Sequence, residues 1–183
     1  MAIARLLRDA DGHDPKGLPP VHKWNPPFCG DLDMEVKRNG QWFYMGTPIG
    51  RPALVKLFST VLRHDEDGHY YLVTPVEKVR IRVEDAPFLA TLVERHEEDG
   101  VQYLKFTTQT GDMMVAGPEH PIRVVYRDDQ EPSPYVHVRD RLEALISRNV
   151  YYQLVEWGEE SVEEGRAVLG VRSAGAFYVI GYL

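Results

Sequence analysis

The sequence predicts an α+β fold built from two related halves, each a set of antiparallel strands carrying one helix. Three observations lead there. Short segments of alternating apolar and polar residues, bounded by glycine and proline, recur along the chain. Two segments have helical spacing instead. Those two segments can be laid on one another without a gap. With 43% hydrophobic and 27% charged residues in 183, the composition is that of an ordinary globular chain, which excludes global disorder.

Residues 1–28 read as an arm. From Asp9 to Pro27 the chain carries Gly12, Pro15, Gly17, Pro19, Pro20, Pro26 and Pro27, which withhold ladder donors or favour turns and so predict an irregular path. Trp24 and Phe28 are costly to leave in water and are expected to clamp this arm onto the body.

Residues 29–98 read as the first α+β domain. Asp31 to Arg38 alternates, Asn39-Gly40 supplies a two-residue type I′ hairpin turn, and Gln41 to Met45 returns. Pro52 suits the first turn of a helix over Ala53 to Leu62, where Leu54, Leu57, Phe58, Val61 and Leu62 share one stripe. His69 to Thr74 and Val79 to Val83 then read as strands. The outline is ββαββ, closing at an acidic loop over Glu97 to Gly100.

Residues 99–183 read as the second. Val101 to Thr108, Asp112 to Ala116 and Ile122 to Tyr126 predict antiparallel strands, and Arg139 to Val150 predicts a helix with Leu142, Leu145, Ile146 and Val150 on one face. Tyr151 to Trp157, Val168 to Arg172 and Ala176 to Ile180 complete the strands. Laid together, Arg51 to Ser59 and Arg139 to Ser147 share the Arg, both Leu and the Ser. Leucines at that spacing follow from packing, so the Arg and Ser matches carry the case for duplication.

Charge and motifs narrow the function. Lys and Arg number 21 against 28 Asp and Glu, a formal charge of −7, which repels polyanions, so no nucleic acid polymer is expected as a partner. Apolar runs such as Val150 to Val155 are far shorter than the roughly 20 residues of a bilayer-crossing helix, so no membrane span is expected. The N-terminus lacks a secretory pattern and Cys29 is the single cysteine, which together predict a cytoplasmic protein without an intrachain disulfide. None of the seven histidines sits in a paired zinc motif. Walker, dinucleotide and nucleophile-elbow motifs are also absent, so no metal and no cofactor are expected, and a binding role is favoured over catalysis.

Two constellations remain. Cys29-Gly30-Asp31-Leu32-Asp33 places two carboxylates on one strand face beside a thiol, a set suited to a cation or a nucleophile, or to ordinary solvated aspartates. Thr47 to Pro52 brings Arg51 to the mouth of the first helix, where free N–H groups attract anions, or where Arg51 makes an ordinary ion pair. The corresponding second mouth carries His137 and Arg139. Tyr70-Tyr71 and Tyr151-Tyr152 suit either a cleft wall or a core strand.

Taken together, Cys29 to Met34, Trp42-Phe43-Tyr44, Gly46 to Pro52, Tyr71 to Lys78 and Tyr135 to Arg139 resemble the bacterial domain-of-unknown-function family twelve eighty-five, from Trp24 to Gly181. No catalytic residues are established for it. The resemblance implies a duplicated core, a C-terminal half similar to pleckstrin-homology folds, a nucleotide-like ligand at the junction of the halves, and a link to signalling. The ligand-contacting residues expected on this reading are Trp24, Cys29, Asp31, Asp33 and Tyr44 with Arg51, Lys78, His137 and Arg139. The alternatives are an enzyme using Cys29 with Asp31 or Asp33, and a protein-interaction adaptor.

Overall fold

The computed structural model describes residues 18–128 and 131–183, so most of the expected arm lies outside the described residues. Two compact units divide the chain, the first ending at Asp85 and the second running Ala86–Leu183.

The first unit is built on a six-stranded sheet. Its strands are β1 (Phe28–Val36), β2 (Trp42–Tyr44), β3 (Thr47–Pro48), β4 (Leu62–His64), β5 (Tyr70–Val73) and β6 (Lys78–Val83), with helix α1 (Pro52–Thr60) between β3 and β4. The sheet order is β3-β2-β1-β6-β5-β4. Within β1-β2-β3 and within β4-β5-β6 successive strands pair antiparallel, whereas β1 and β6 pair parallel. Alternation puts Met34 and Val36 of β1 and Val79 and Ile81 of β6 on the buried face. There they join Trp42, Phe58, Leu62 and Leu72, and Trp42 stacks on Phe58 of α1. The ββαββ outline read from the sequence becomes βββαβββ: the short strands β3 and β4 flank the helix, which ends at Thr60 so that Leu62 already belongs to β4. Its first turn differs: Lys37 N–H donates to the Gln41 carbonyl across a three-residue loop, and Gly40, not Asn39, takes a positive φ. This is the turn followed by a left-handed glycine that suits three-residue hairpins, rather than a two-residue type I′ turn.

The arm, from Leu18, carries a 3₁₀ turn at Val21–Lys23 and is held differently from expectation. Val21 is buried, Trp24 is half-buried and Phe28 is 52% exposed. Arg63 on β4 does the clamping, donating to the carbonyls of Val21 (2.8 Å) and Trp24 (2.7 Å). A guanidinium satisfies two arm carbonyls that no ladder reaches.

The second unit has its own six-stranded sheet from β7 (Phe88–Glu98), β8 (Val101–Thr108), β9 (Met113–Val115), β10 (Ile122–Val125), β11 (Ser133–Arg139) and β12 (Leu142–Ile146), in the order β10-β11-β12-β7-β8-β9. Helix α2 (Arg148–Trp157) follows, then a three-stranded sheet of β13 (Glu159–Glu163), β14 (Arg166–Ser173) and β15 (Ala176–Tyr182). Phe88, Leu104, Phe106, Val136, Leu142, Leu154 and Ile180 are buried in this unit. Ser173 on β14 is fully buried; its hydroxyl accepts from Leu104 N–H (2.9 Å) and donates to the Ala116 carbonyl (2.6 Å).

The two large sheets share one plan. In each, two three-stranded meanders are joined by a parallel pairing of the first strand with the sixth: β1 with β6, and β7 with β12. What does not repeat is the helix. α1 stands between the meanders, whereas α2 follows the sheet. The expected helix over Arg139 to Val150 is therefore corrected: Arg139 ends β11, Leu142–Ile146 is a strand, and the helix starts at Arg148 behind the Ser147 N-cap. Leu142, Ala144, Leu145 and Ile146 are all buried, because β12 is an interior strand between β11 and β7. A short apolar run of that kind satisfies helical and strand spacing alike. Tyr151 to Trp157, expected as a strand, is helical, with Val150 and Leu154 buried one turn apart. The division between units falls before β7, where the sequence predicts no strand and whose residues the expected bounds 29–98 include in the first domain.

Candidate functional site

On the exposed face of the first unit, β1 and β6 lay a column of acids beside a column of bases. Gly30, at φ +106°, lets β1 bulge between Phe28 and Asp31, so that Asp31 comes level with Arg80. Arg80 donates to both oxygens of Asp31 at 2.5 and 3.0 Å, and Arg82 donates to Asp33 at 2.8 Å. Lys37 pairs with Glu35 at 2.7 Å. Asp31, Asp33 and Arg82 are more than half exposed. The Arg80 hydrogen bond holds the Asp31 carboxyl below the usual carboxylate range. Beside this ladder lies an open groove of about 530 Å³, lined by Asp31, Leu32, His69, Tyr70, Arg80 and Arg82 among others. That is the size range of small-molecule sites.

One end of the ladder is aromatic. The Arg80 guanidinium lies 5.6 Å from the Phe28 ring, Phe28 meets Tyr71 edge to face at 6.1 Å, and Lys78 Nζ sits 4.4 Å over Tyr71. Lys78 also donates to Asp65 (3.1 Å), which Arg63 engages through two nitrogens. Burial alone would raise the Asp65 pKa, but the hydrogen bonds from Arg63 and Lys78 outweigh it and lower it. Tyr71 Oη donates to Asp67 (2.5 Å), which lowers the carboxyl and raises the phenol.

Of the residues expected from sequence, Cys29, Asp31, Asp33 and Lys78 thus share the β1 and β6 pair. Cys29 is exposed and its thiol donates to the Pro27 carbonyl at 3.3 Å. Tyr44 is 45% exposed at the end of β2, and Arg51 is exposed at the N-cap of α1, which has no side-chain cap.

His137 and Arg139 belong to the second unit, on β11, and Arg139 guards no helix mouth. It donates to Asp112 at 2.8 Å and lies over the Phe88 ring. Asp112 also accepts from the Thr108 and Thr110 hydroxyls at 3.0 and 2.5 Å. Burial would raise its pKa, but the Thr110 hydrogen bond and the Arg139 charge prevail and lower it. Arg139 is therefore a structural partner within its unit. His137 Nδ1 is 3.2 Å from His120 Nδ1, and His137 Nε2 is 2.7 Å from the Asp140 carbonyl.

Sequence reasoning missed Arg80, Arg82 and Arg63. The signal for the first two was present, since Arg80 and Arg82 alternate with Val79, Ile81 and Val83 in the same way that Asp31 and Asp33 alternate with Leu32 and Met34. The missing fact was that these distant strands pair.

Comparison with known proteins points one way. Residues 19–86 match the family model described as "Domain of unknown function (DUF1285), N-terminal domain", and residues 87–180 match "Protein of unknown function (DUF1285), C-terminal domain". The crystal structure of a DUF1285 family protein from Silicibacter pomeroyi DSS-3 is similar at 51% identity and a TM-score of 0.85, over 97% of this chain and 95% of that one. Another, from Shewanella baltica OS155, is similar at 31% identity and a TM-score of 0.53, over 68% of this chain and 91% of that one. No curated protein matches.

Proposed function

We propose that this chain, which belongs to the DUF1285 family, is a non-catalytic binding or sensory module that takes a small anionic, nucleotide-like ligand and acts in bacterial signalling. The observation that carries this reading is the groove beside the β1 and β6 ladder, where Arg80 and Arg82 are held by carboxylates that are themselves exposed. A phosphate carries more charge than a single aspartate carboxylate and has a third acceptor oxygen, so it can compete with Asp31 and Asp33 for these guanidinium groups. His69 and Tyr70 line the same groove and offer a further donor and a ring for a planar base. Arg51 at the start of α1 supplies a second anion-attracting position in the same unit.

The pleckstrin-homology likeness of the C-terminal half belongs to this reading as well. There a helix follows the last strand of the sheet, although three further strands come after it. The thiol-enzyme reading gains nothing from the position of Cys29, since its Sγ–H donates to a carbonyl.

The test is a thermal-shift and calorimetric screen of mononucleotides and their phosphates. Wild type should bind at least one of them, Arg80→Ala should weaken it about tenfold or more, and Asp31→Asn, which removes the competing carboxylate, should tighten it. An unchanged melting point across the panel at millimolar ligand defeats the proposal.

A further inference from the structure

We propose that His120 and His137, in the second unit, form a two-histidine site for a late first-row divalent cation such as Zn²⁺, Ni²⁺ or Cu²⁺. Their backbones are fixed independently of any ligand. His120 closes the turn between β9 and β10, with its N–H donating to the Gly117 carbonyl (2.9 Å) and its carbonyl accepting from Gly117 N–H (3.1 Å). His137 lies on β11, where its N–H donates to the Pro121 carbonyl (3.1 Å).

The ring chemistry follows from the partners. A carbonyl only accepts, so His137 Nε2, 2.7 Å from the Asp140 carbonyl, carries the proton, and in the neutral ring Nδ1 is left with a bare lone pair. A ligating histidine is oriented in just this way, its far N–H held by a backbone oxygen and its near nitrogen free to bind. That lone pair meets His120 Nδ1 at 3.2 Å. Two imidazole nitrogens bound to one tetrahedral Zn²⁺ at about 2.0–2.1 Å stand about 3.3–3.4 Å apart, so the separation already matches, and the His120 ring has only to turn its Nδ1 off the His137 carbonyl.

Without metal, His120 Nδ1–H is shared between His137 Nδ1 and the His137 carbonyl at 3.1 Å. On binding, that proton moves through solvent to His120 Nε2, and both Nδ1 atoms become ligands with no net proton release. The remaining positions go to water, since no group of three or more metal-binding side chains occurs among the described residues. Two neutral imidazoles with open positions select the later divalent metals over Mg²⁺ or Ca²⁺. The site lies outside the groove of the first unit, and its fate does not depend on that reading.

The full chain, freed of metal with chelator, is titrated with ZnCl₂ by calorimetry and thermal shift, alongside His120→Gln, His137→Ala and the control His96→Ala. Wild type and the control should bind one equivalent, with a rise of about 5 °C at a hundredfold excess over Kd, and both site variants should lose it. Because His137→Ala also removes the bond to Asp140, His120→Gln decides alone if that variant fails to fold. Cu²⁺ electron paramagnetic resonance on the wild type should show coupling to two nitrogens. No saturable binding, binding that survives either site substitution, or coupling to fewer than two nitrogens overturns the site.

Discussion

Asp112 shows how much one half-buried carboxylate organises. It gathers two threonine hydroxyls from its own turn and a guanidinium from β11, so replacing it strands several donors together. Asp112→Asn should cost about 1.5–3 kcal/mol at neutral pH, read by denaturant unfolding. The pH dependence has a definite sign. With its folded pKa held below the ordinary value, Asp112 contributes fully above about pH 4 and loses that contribution as the pH falls through the lower folded value. The gap between wild type and Asp112→Asn should accordingly close under acid. A gap that widens under acid would contradict the network. Ser173 is the uncharged counterpart: Ser173→Ala leaves the Leu104 N–H and the Ala116 carbonyl buried without their shared partner and should cost about 1–3 kcal/mol. None of this was legible beforehand. Arg139 stood out in the sequence as a helix-mouth cation, whereas its partner Asp112 lies across the fold and identifies it as part of a packed pair.

At the level of elements, what the sequence revealed depended on how local the determining contact was. Turn chemistry is written in adjacent residues, as at Asp65 to Gly68 between β4 and β5 and at Ala174-Gly175 between β14 and β15. The exchange of strand and helix over residues 139–157 is not. Leu142 to Ile146 is strand because β11 and β7 flank it, and no spacing rule within the segment encodes those neighbours. The β14–β15 hairpin also holds a close approach. A Cβ at Gly170 would run into the Phe177 ring, which is itself capped by the Arg172 guanidinium. Gly170→Ala should therefore lower stability by about 1–3 kcal/mol, seen as a fall in melting temperature. A neutral result would mean that the ring swings aside freely.

Across the whole molecule, the same six-strand plan appears twice, each time closed by a parallel pairing between its first and last strands. The sequence points to a duplication through two segments of helical spacing, of which Arg51 to Ser59 is helix and Arg139 to Ser147 is largely strand. The feature that does repeat is strand order, which single-sequence patterns do not carry. No helix among the described residues is long and apolar enough to cross a membrane. A net charge of −7 means that any anion must be drawn in locally, and at the proposed site Arg80 and Arg82 would do so by exchanging Asp31 and Asp33 for the ligand. Binding there should weaken as salt rises, because the charges are exposed and screened. The most direct test is a backbone-amide NMR titration of the full chain with a mononucleotide that binds in the screen. The account predicts saturable shifts centred on Asp31, Leu32, His69, Tyr70 and Arg80 that vanish in Arg80→Ala. Shifts confined to other parts of the chain, or shifts at these residues that persist in Arg80→Ala, would contradict it.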